Sequence, residues 1–252
     1  MNADDDWNEE ADERLQDLFE EDLDNQRAAV FEILDRTREE PDLEDALIEA
    51  LDASISEGGD ATMGTCWIAV ILGELGSTRA VPLLKELLLC DDEVLVAAAV
   101  RSLRKIGDPA FQHVLESLEE NEIEGDGFAA ALQVLEGIGL HDLPLTRHNI
   151  EERLMSYVQA PRKGREGEQR AEAAALSLAR LGVKRAKEAI EHAHTFTYRR
   201  SNSFLQEALD ILTEHPAGLP CVAAKEWYDE FRWAFAADPG GELAVLDEDE
   251  SD

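Results

Sequence analysis

The sequence predicts an all-α protein, an α-solenoid of about six stacked helical hairpins with helical caps. Three observations carry this prediction. Gly76 and Gly107 each follow a leucine or isoleucine and lie thirty-one residues apart, and Gly139 follows thirty-two residues later. Each of these glycines ends an aliphatic, alanine-rich segment and precedes a second aliphatic segment. Periods of this size are typical of stacked hairpins, because one hairpin cannot bury its own apolar face.

The two ends of the chain differ from the repeats. Residues 1–24 contain twelve acidic residues and predict an acidic tail that continues into a capping helix. Residues 25–236 form the predicted repeat array, whose first hairpin is split at Pro41 because proline is tolerated in the first turn of a helix. Residues 237–252 predict a flexible acidic tail.

The second and third hairpins are the most regular. Ser77 is expected to cap the helix that follows Gly76, and Gly107 is expected to end the first helix of the third hairpin. The inward stripe of the second hairpin's second helix comprises Val81, Leu84, Leu87 and Leu88. Alanine is abundant on the first helices, and we expect these small side chains to let neighbouring hairpins approach closely.

The period breaks once, because Gly182 comes forty-three residues after Gly139. The extra length is VQAPRKGREGEQR, which predicts a loop insertion near residues 159–169 because it combines proline, two glycines and alternating charge. The last hairpin also departs from the pattern. Five aromatic residues close together predict a cap over the open end of the stack, with a partner-binding patch as the alternative. They are Trp227, Tyr228, Phe231, Trp233 and Phe235.

The charge of the chain limits the classes of partner. The formal net charge is −34, from 57 acidic and 23 basic residues, so the average surface repels phosphate backbones and anionic lipids. Nucleic acid is therefore not an expected partner. No apolar run approaches the roughly 18 residues needed to cross a bilayer, so we expect a cytoplasmic protein without membrane insertion. Cys66, Cys90 and Cys221 are expected to be buried free thiols.

One segment has the opposite charge balance. From Arg153 to Arg200 there are eleven basic and five acidic residues. One interpretation is internal charge balance within the array; the other is a docking face for an acidic protein segment or a phosphate-bearing ligand. The candidate partner-binding residues of this basic zone are Arg162, Lys163, Arg165, Lys184, Arg185 and Lys187.

No catalytic or metal-binding motif stands out in the chain. Glu191, His192 and His194 form the sequence EHAH, but residues two apart on a helix point in different directions, so we expect no metal site there. No nucleophile with base and acid in order, glycine-rich phosphate loop or HExxH motif is present. The sequence therefore predicts no catalytic residues, no metal and no cofactor.

Three stretches resemble the HEAT-repeat family, in particular its short phycobilisome-lyase-type form. They are LGELGSTRAVPLLKELL, DDEVLVAAAVRSLRKIGDPAFQHVLESL and, more weakly, EQRAEAAALSLARLG. Repeats of this family often carry an arginine near the start of the first helix. Here Arg170 matches that position but Leu95 does not, so apolar packing is expected to replace most of the polar ladder. The resemblance implies an α-solenoid with a concave protein-binding surface.

Three functions follow as expectations. The leading one is a non-catalytic scaffold, not an enzyme, that binds a protein through the concave face formed by its second helices, with the basic zone setting orientation. The second, implied by the resemblance, is an auxiliary subunit of a lyase or other modifying enzyme that holds an anionic cofactor such as a bilin. The third is an acidic decoy that imitates nucleic acid and binds cationic partners in a salt-dependent way.

Overall fold

The computed structural model confirms an all-α solenoid. It describes residues 15–19, 23–37, 40, 42–56, 63–120, 125–139, 144–161, 164–196 and 203–218. The α-helices of this part of the chain are α1 (Leu23–Thr37), α2 (Asp42–Ser56), α3 (Met63–Glu74), α4 (Val81–Leu87), α5 (Glu93–Ile106), α6 (Asp108–Glu120), α7 (Gly125–Gly139), α8 (Pro144–Gln159), α9 (Arg165–Arg180), α10 (Lys187–Phe196) and α11 (Ser203–Glu214). A 3-10 turn, Lys184–Ala186, leads into α10.

The helices form two layers. The first helices of the hairpins, α1, α3, α5, α7, α9 and α11, contact one another in sequence, and the second helices flank them. The described residues thus contain five complete hairpins and the first helix of a sixth. This order is what a stack of hairpins requires, since each apolar face is covered by the next hairpin.

The core lies between the layers and is continuous along the stack. Helix α3 is buried on all sides from Gly64 to Gly73. Its Trp67 is fully buried, and the indole Nε1 donates a 2.8 Å hydrogen bond to Oε1 of Gln26 on α1. This bond satisfies the one polar group that the indole brings into the core.

Close approach of first helices depends on small residues, as the sequence predicted. A Cβ added at Gly73 on α3 would lie 2.6 Å from Cα of Ser102 on α5. The Ser102 hydroxyl turns back and donates to the carbonyl of Ala98 at 2.8 Å, which leaves no unpaired polar group at the contact. A larger residue at position 73 would push these two helices apart.

Two of the predicted helix ends share one geometry. Gly76 and Gly182 have φ of +66° and +70°, and the N–H of the following residue bonds the carbonyl five residues back in both cases. Both ends are Schellman motifs, in which glycine takes the left-handed conformation. Ser77 does not cap α4 at its N-cap position, which is Ala80; its hydroxyl accepts a 3.3 Å bond from the Ala80 N–H inside the turn.

The predicted insertion is narrower than expected. Helix α8 extends to Gln159 and α9 begins at Arg165, so the loop predicted near 159–169 is confined to residues 160–164. The extra length of this repeat lengthens the two helices instead. The C-terminal aromatic cluster, the acidic segment 237–252 and most of residues 1–24 lie outside the described residues; Leu15 and Leu18 are described and buried.

Candidate functional site

The structure brings together three of the six residues predicted for the basic zone. Lys184 and Arg185 lie in the 3-10 turn after α9, and Lys187 begins α10; all three are exposed. Arg165 is exposed at the opposite end of α9, and a helix of that length separates it from the turn by roughly 22 Å. Arg162 and Lys163 lie outside the described residues.

Arg185 is held by the preceding hairpin. Its guanidinium forms an ion pair with Glu152 and a second one, at 3.2 Å, with Glu151, both on α8. The Glu152 partner raises the pKa of Arg185, and Arg185 in turn lowers the pKa of Glu152. Arg185 is therefore engaged within the stack.

The same kind of link occurs at the other Schellman turn, which is the one at Gly76. Arg79 stands three residues after Gly76, as Arg185 stands three after Gly182, and Arg79 pairs with Asp45 on the second helix of the preceding hairpin. The pairs Arg79–Asp45 and Arg185–Glu151 are both separated by 34 residues. The sequence signal that could have identified this link is an arginine three residues after the turn glycine, with a carboxylate 34 residues before that arginine.

Part of the charge excess in the basic zone is balanced by carboxylates that precede Arg153 in the sequence. Glu151 and Glu152 pair with Arg185, and Glu136 on α7 lies 3.7 Å from Arg180. Within the zone, Arg170 pairs with Glu166 at 2.6 Å. Among the described cations of the zone, Arg165, Lys184 and Lys187 show no ion pair with another described residue.

Polar contacts also link the first helices, so apolar packing alone does not replace the missing arginine ladder, contrary to expectation. Buried Arg104 on α5 donates from Nε and Nη2 to the carbonyl of Gln133 on α7, at 2.8 and 2.7 Å. Its side chain lies against Gly137, where a Cβ would meet it at 2.3 Å. The hydroxyl of Ser177 on α9 donates a 2.5 Å bond to buried Glu136.

Glu74, at the end of α3, also forms polar contacts between two first helices. Glu74 accepts a 2.7 Å bond from Arg101 and lies 3.0 Å from Nζ of Lys105, both on α5. Burial acts to raise the pKa of Glu74, but Arg101 and Lys105 outweigh burial and hold that pKa below its ordinary value. Glu74 therefore stays ionised and ties α3 to α5.

Arg170, the residue that matches the repeat pattern, lies at the centre of the polar features of α9. It is 4% exposed, its guanidinium lies over the Phe128 ring at 5.0 Å, and Glu166 one turn earlier neutralises its charge. Stacking and pairing both offset part of the free-energy cost of burying a cation.

A cavity of about 340 Å³ opens above Arg170, between α7, α9 and α11. Its apolar wall comprises Phe128, Ala129, Ala173, Leu176 and Phe204, and its polar groups are Glu166, Gln169, Arg170 and Glu172. Phe204 is 50% exposed, so the cavity is open to solvent on the α11 side. Burial, and secondarily the Glu168 carboxylate, raise the pKa of Glu172.

A smaller cavity of about 160 Å³ lies on the other side of Arg170, against Arg153 and Tyr157 of α8. Arg153 covers the Tyr157 ring at 5.4 Å, and that ring meets Phe128 edge-on at 5.4 Å. Phe128 lines the larger cavity and Tyr157 lines the smaller one. Neither cavity was anticipated from the sequence.

The thiols and metal ligands give no second site in the described part of the chain. Cys66 is buried and Cys90 half-buried, both as free thiols; Cys221 lies outside this part. Burial raises the pKa of Cys66 to about 12, so its reactive thiolate form is suppressed. No group of three or more His, Cys, Asp or Glu side chains among these residues is placed to hold a metal ion. None of these helices is long and apolar enough to span a membrane.

Comparison with known proteins identifies the repeat. The family described as PBS lyase HEAT-like repeat matches residues 66–90, which cover most of α3 and all of α4. Among solved structures, the chain is similar to the complex of CpcE and CpcF of phycocyanin lyase from Nostoc sp. PCC7120, with 22% identity, a TM-score of 0.35, and coverage of 87% of this chain and 94% of that one. No curated protein matches the chain.

These comparisons correct one expectation and confirm another. The prediction that the chain is not an enzyme was wrong, because the repeat that matches residues 66–90 is described as a PBS lyase repeat. The resemblance read from LGELGSTRAVPLLKELL is confirmed, because that stretch lies within the matched residues 66–90. Residues 66–90 therefore carry a HEAT-like repeat of the phycobilisome-lyase type, and the described hairpins on either side of it stack as such repeats do.

Proposed function

We propose that the chain is an auxiliary subunit of a lyase or other protein-modifying enzyme, and that it acts by binding a partner subunit or acceptor protein. The observation that carries this proposal is the repeat at residues 66–90, whose family is named for phycobilisome lyases. The fold supplies what such a subunit needs, a long and rigid surface built from stacked hairpins. Fold alone does not specify a reaction, so the chemistry has to be tested directly.

The family name suggests a bilin as cofactor. The larger cavity, between α7, α9 and α11, does not fit a bilin. An open-chain tetrapyrrole carries two carboxylates, whereas the cavity presents the carboxylates of Glu166 and Glu172. Arg170, the one cation among the described lining residues, is stacked on Phe128 and paired with Glu166. This chain therefore binds and positions a partner in our proposal, and no bilin is assigned to this cavity.

The test compares source cells that lack the gene with cells that carry it. The expected result is that one or a few proteins lose a covalently attached group when the gene is deleted and regain it when the gene is restored. Intact-protein mass spectrometry of the soluble fraction measures the lost mass. An unchanged set of modified proteins in the deletion strain would contradict a role in a modifying enzyme.

The turn after α9 is the proposed docking site for an acidic segment of the partner. Lys184 and Lys187 present exposed charge on either side of Arg185, whose pairs with Glu151 and Glu152 fix the turn. We expect the double variant Lys184→Gln/Lys187→Gln to weaken partner binding about tenfold at low salt, since two charge contacts are lost. Arg185 is left intact because its replacement would also disturb the stack.

Affinity capture from source extract, followed by titration of the isolated partner, measures this effect. The matched control is Arg165→Gln/Gln112→Glu, which lowers the net charge by the same two units at two exposed positions away from the turn. Equal weakening by both double variants would assign the effect to net charge. Unchanged binding in the Lys184/Lys187 variant would move the docking site elsewhere on the solenoid.

A further inference from the structure

The cavity between α7, α9 and α11 has the composition of a recognition pocket, with an apolar wall and acidic groups at its edge. Small residues keep the cavity open, because Ala129 and Ala173 lie where larger side chains would fill the space. Its volume of about 340 Å³ is at the lower end of ligand pockets, and half-exposed Phe204 leaves one side open. It suits one bulky side chain that enters from solvent better than a whole enclosed cofactor.

The charge around the opening is negative. Glu166 and Glu172 line the cavity, and Glu168 lies one helical turn from Glu172 on the same face of α9. Glu207 is exposed on α11, one turn beyond Phe204. Among the described residues that line the cavity, the one cation is Arg170, which is held by Glu166 and by the Phe128 ring. A ligand therefore meets uncompensated carboxylate charge in Glu172 and its neighbours.

We propose that this cavity binds a segment of a partner protein in which a bulky apolar side chain stands beside lysine or arginine. The apolar side chain fills the space against Phe128, Ala173 and Phe204, and the adjacent cation lies against Glu172. A cation placed there also relieves the repulsion between Glu168 and Glu172, which adds electrostatic attraction to the apolar contact. This inference rests on the cavity alone and not on the lyase assignment or the Lys184/Lys187 turn.

Calorimetric titration of the full chain with short peptides tests the proposal. The probe is the blocked tripeptide Ac-Lys-Trp-Lys-amide, and the comparison peptide is Ac-Glu-Trp-Glu-amide. We expect the lysine peptide to bind at least about tenfold more tightly, because both lysines face carboxylates where both glutamates would face like charge. No binding of the lysine peptide at millimolar concentration, or equal binding of the two peptides, would overturn the proposal.

Two variants locate the binding. Ala173→Leu fills the cavity and is expected to weaken the lysine peptide about tenfold or more, whereas Glu172→Gln keeps the shape and is expected to weaken it about threefold. The matched controls are Ala53→Leu on α2 and Glu116→Gln on α6, both exposed and outside the cavity. Loss in the control variants equal to that in the cavity variants would place the binding elsewhere.

A further titration separates a protein segment from a small amine. Tryptamine has the same indole and a cation but lacks the peptide backbone and the second lysine. We expect it to bind more weakly than the tripeptide, because one charge contact and the backbone contacts are missing. Tryptamine binding as tight as that of Ac-Lys-Trp-Lys-amide, with the same loss in Ala173→Leu, would assign the cavity to a small aromatic amine instead of a partner segment.

Discussion

At the scale of single residues, Glu172 lowers the stability of the folded chain when its carboxyl is ionised. Its carboxyl is half-buried beside an apolar wall, and Glu168 stands one turn away on the same helix. Burial first, and then Glu168, raise its pKa above the ordinary value for glutamate. Of the other charged groups in the lining, Glu166 and Arg170 pair with each other, and the lining residues from α7 and α11 are not titratable. A residue that lowers stability at a pocket edge is typical of a binding role.

The pH dependence of stability follows from the direction of this shift. A carboxyl whose pKa is higher in the folded chain than in the unfolded chain binds more protons when folded, so its contribution declines as pH rises through that interval. Glu172→Gln removes the decline. We expect the urea midpoint of the variant to exceed that of the wild type at pH 8, with a smaller difference at pH 5.

Urea titrations followed by circular dichroism at the two pH values measure this difference, with Glu116→Gln on α6 as control. An equal rise in the control variant would assign the effect to the net charge of −34 instead of to the pocket. Together with the peptide titration, Glu172→Gln is expected to be more stable at pH 8 and weaker in binding. A purely structural residue would not combine these two changes.

At the scale of elements, the turns set the spacing of the hairpins. The turn after α9 packs against the turn after α11 backbone to backbone: a Cβ at Gly182 would lie 2.6 Å from the carbonyl carbon of Ala217. A Cβ at Gly218 would meet the carbonyl oxygen of Arg180 at 2.2 Å. The turn at Gly76 has the same Schellman geometry, but nothing lies within 4 Å of its added Cβ.

A comparison of the turns at Gly76 and Gly182 separates two free-energy costs. One is the cost of left-handed backbone for a residue with Cβ, and the other is the cost of moving the atoms that the new Cβ contacts. Gly76→Ala is expected to lower the free energy of unfolding by about 1–2 kcal/mol, the cost of left-handed backbone for a residue with Cβ. Gly182→Ala is expected to cost more, because backbone atoms of the next turn must also move. Chemical denaturation of both variants measures the difference, and equal losses would show that the contact at Ala217 adjusts freely.

At the scale of the whole molecule, repulsion among carboxylates opposes folding. The chain has 57 acidic and 23 basic residues, and several of the basic residues already link neighbouring hairpins, as Arg79, Arg101 and Arg185 do. Salt weakens those links as well, but acidic residues exceed basic ones so far that 34 carboxylates have no cation in the chain to balance them. Screening of the excess negative charge therefore dominates.

We expect the melting temperature to rise between 0.01 and 1 M NaCl, with most of the rise at the low end, because the screening length falls from about 30 Å to about 3 Å over that range. Differential scanning calorimetry measures it. Sucrose at matched osmolality is the control for stabilisation by solute exclusion alone. A melting temperature that falls with salt would mean that the ion pairs between hairpins outweigh the general repulsion.

The sequence by itself determined the fold class and the repeat. The glycines at 76, 107 and 139 mark helix ends one hairpin apart, and their spacing is a local property that needs no knowledge of contacts. The alanine-rich first helices likewise predicted close packing, which Gly73 and Ser102 show. Charge composition, also local, gave the net repulsion on which the salt prediction depends.

Only the tertiary structure decided what the charged and aromatic residues do. Arg185 was counted as a docking cation because its partners Glu151 and Glu152 lie one period earlier in the chain, outside the counted segment. The cavity was invisible in the sequence because Phe128, Ala173 and Phe204 come from three different hairpins. The physical reason is that a helical repeat fixes its own shape locally, whereas pairing and cavities arise only where successive hairpins meet.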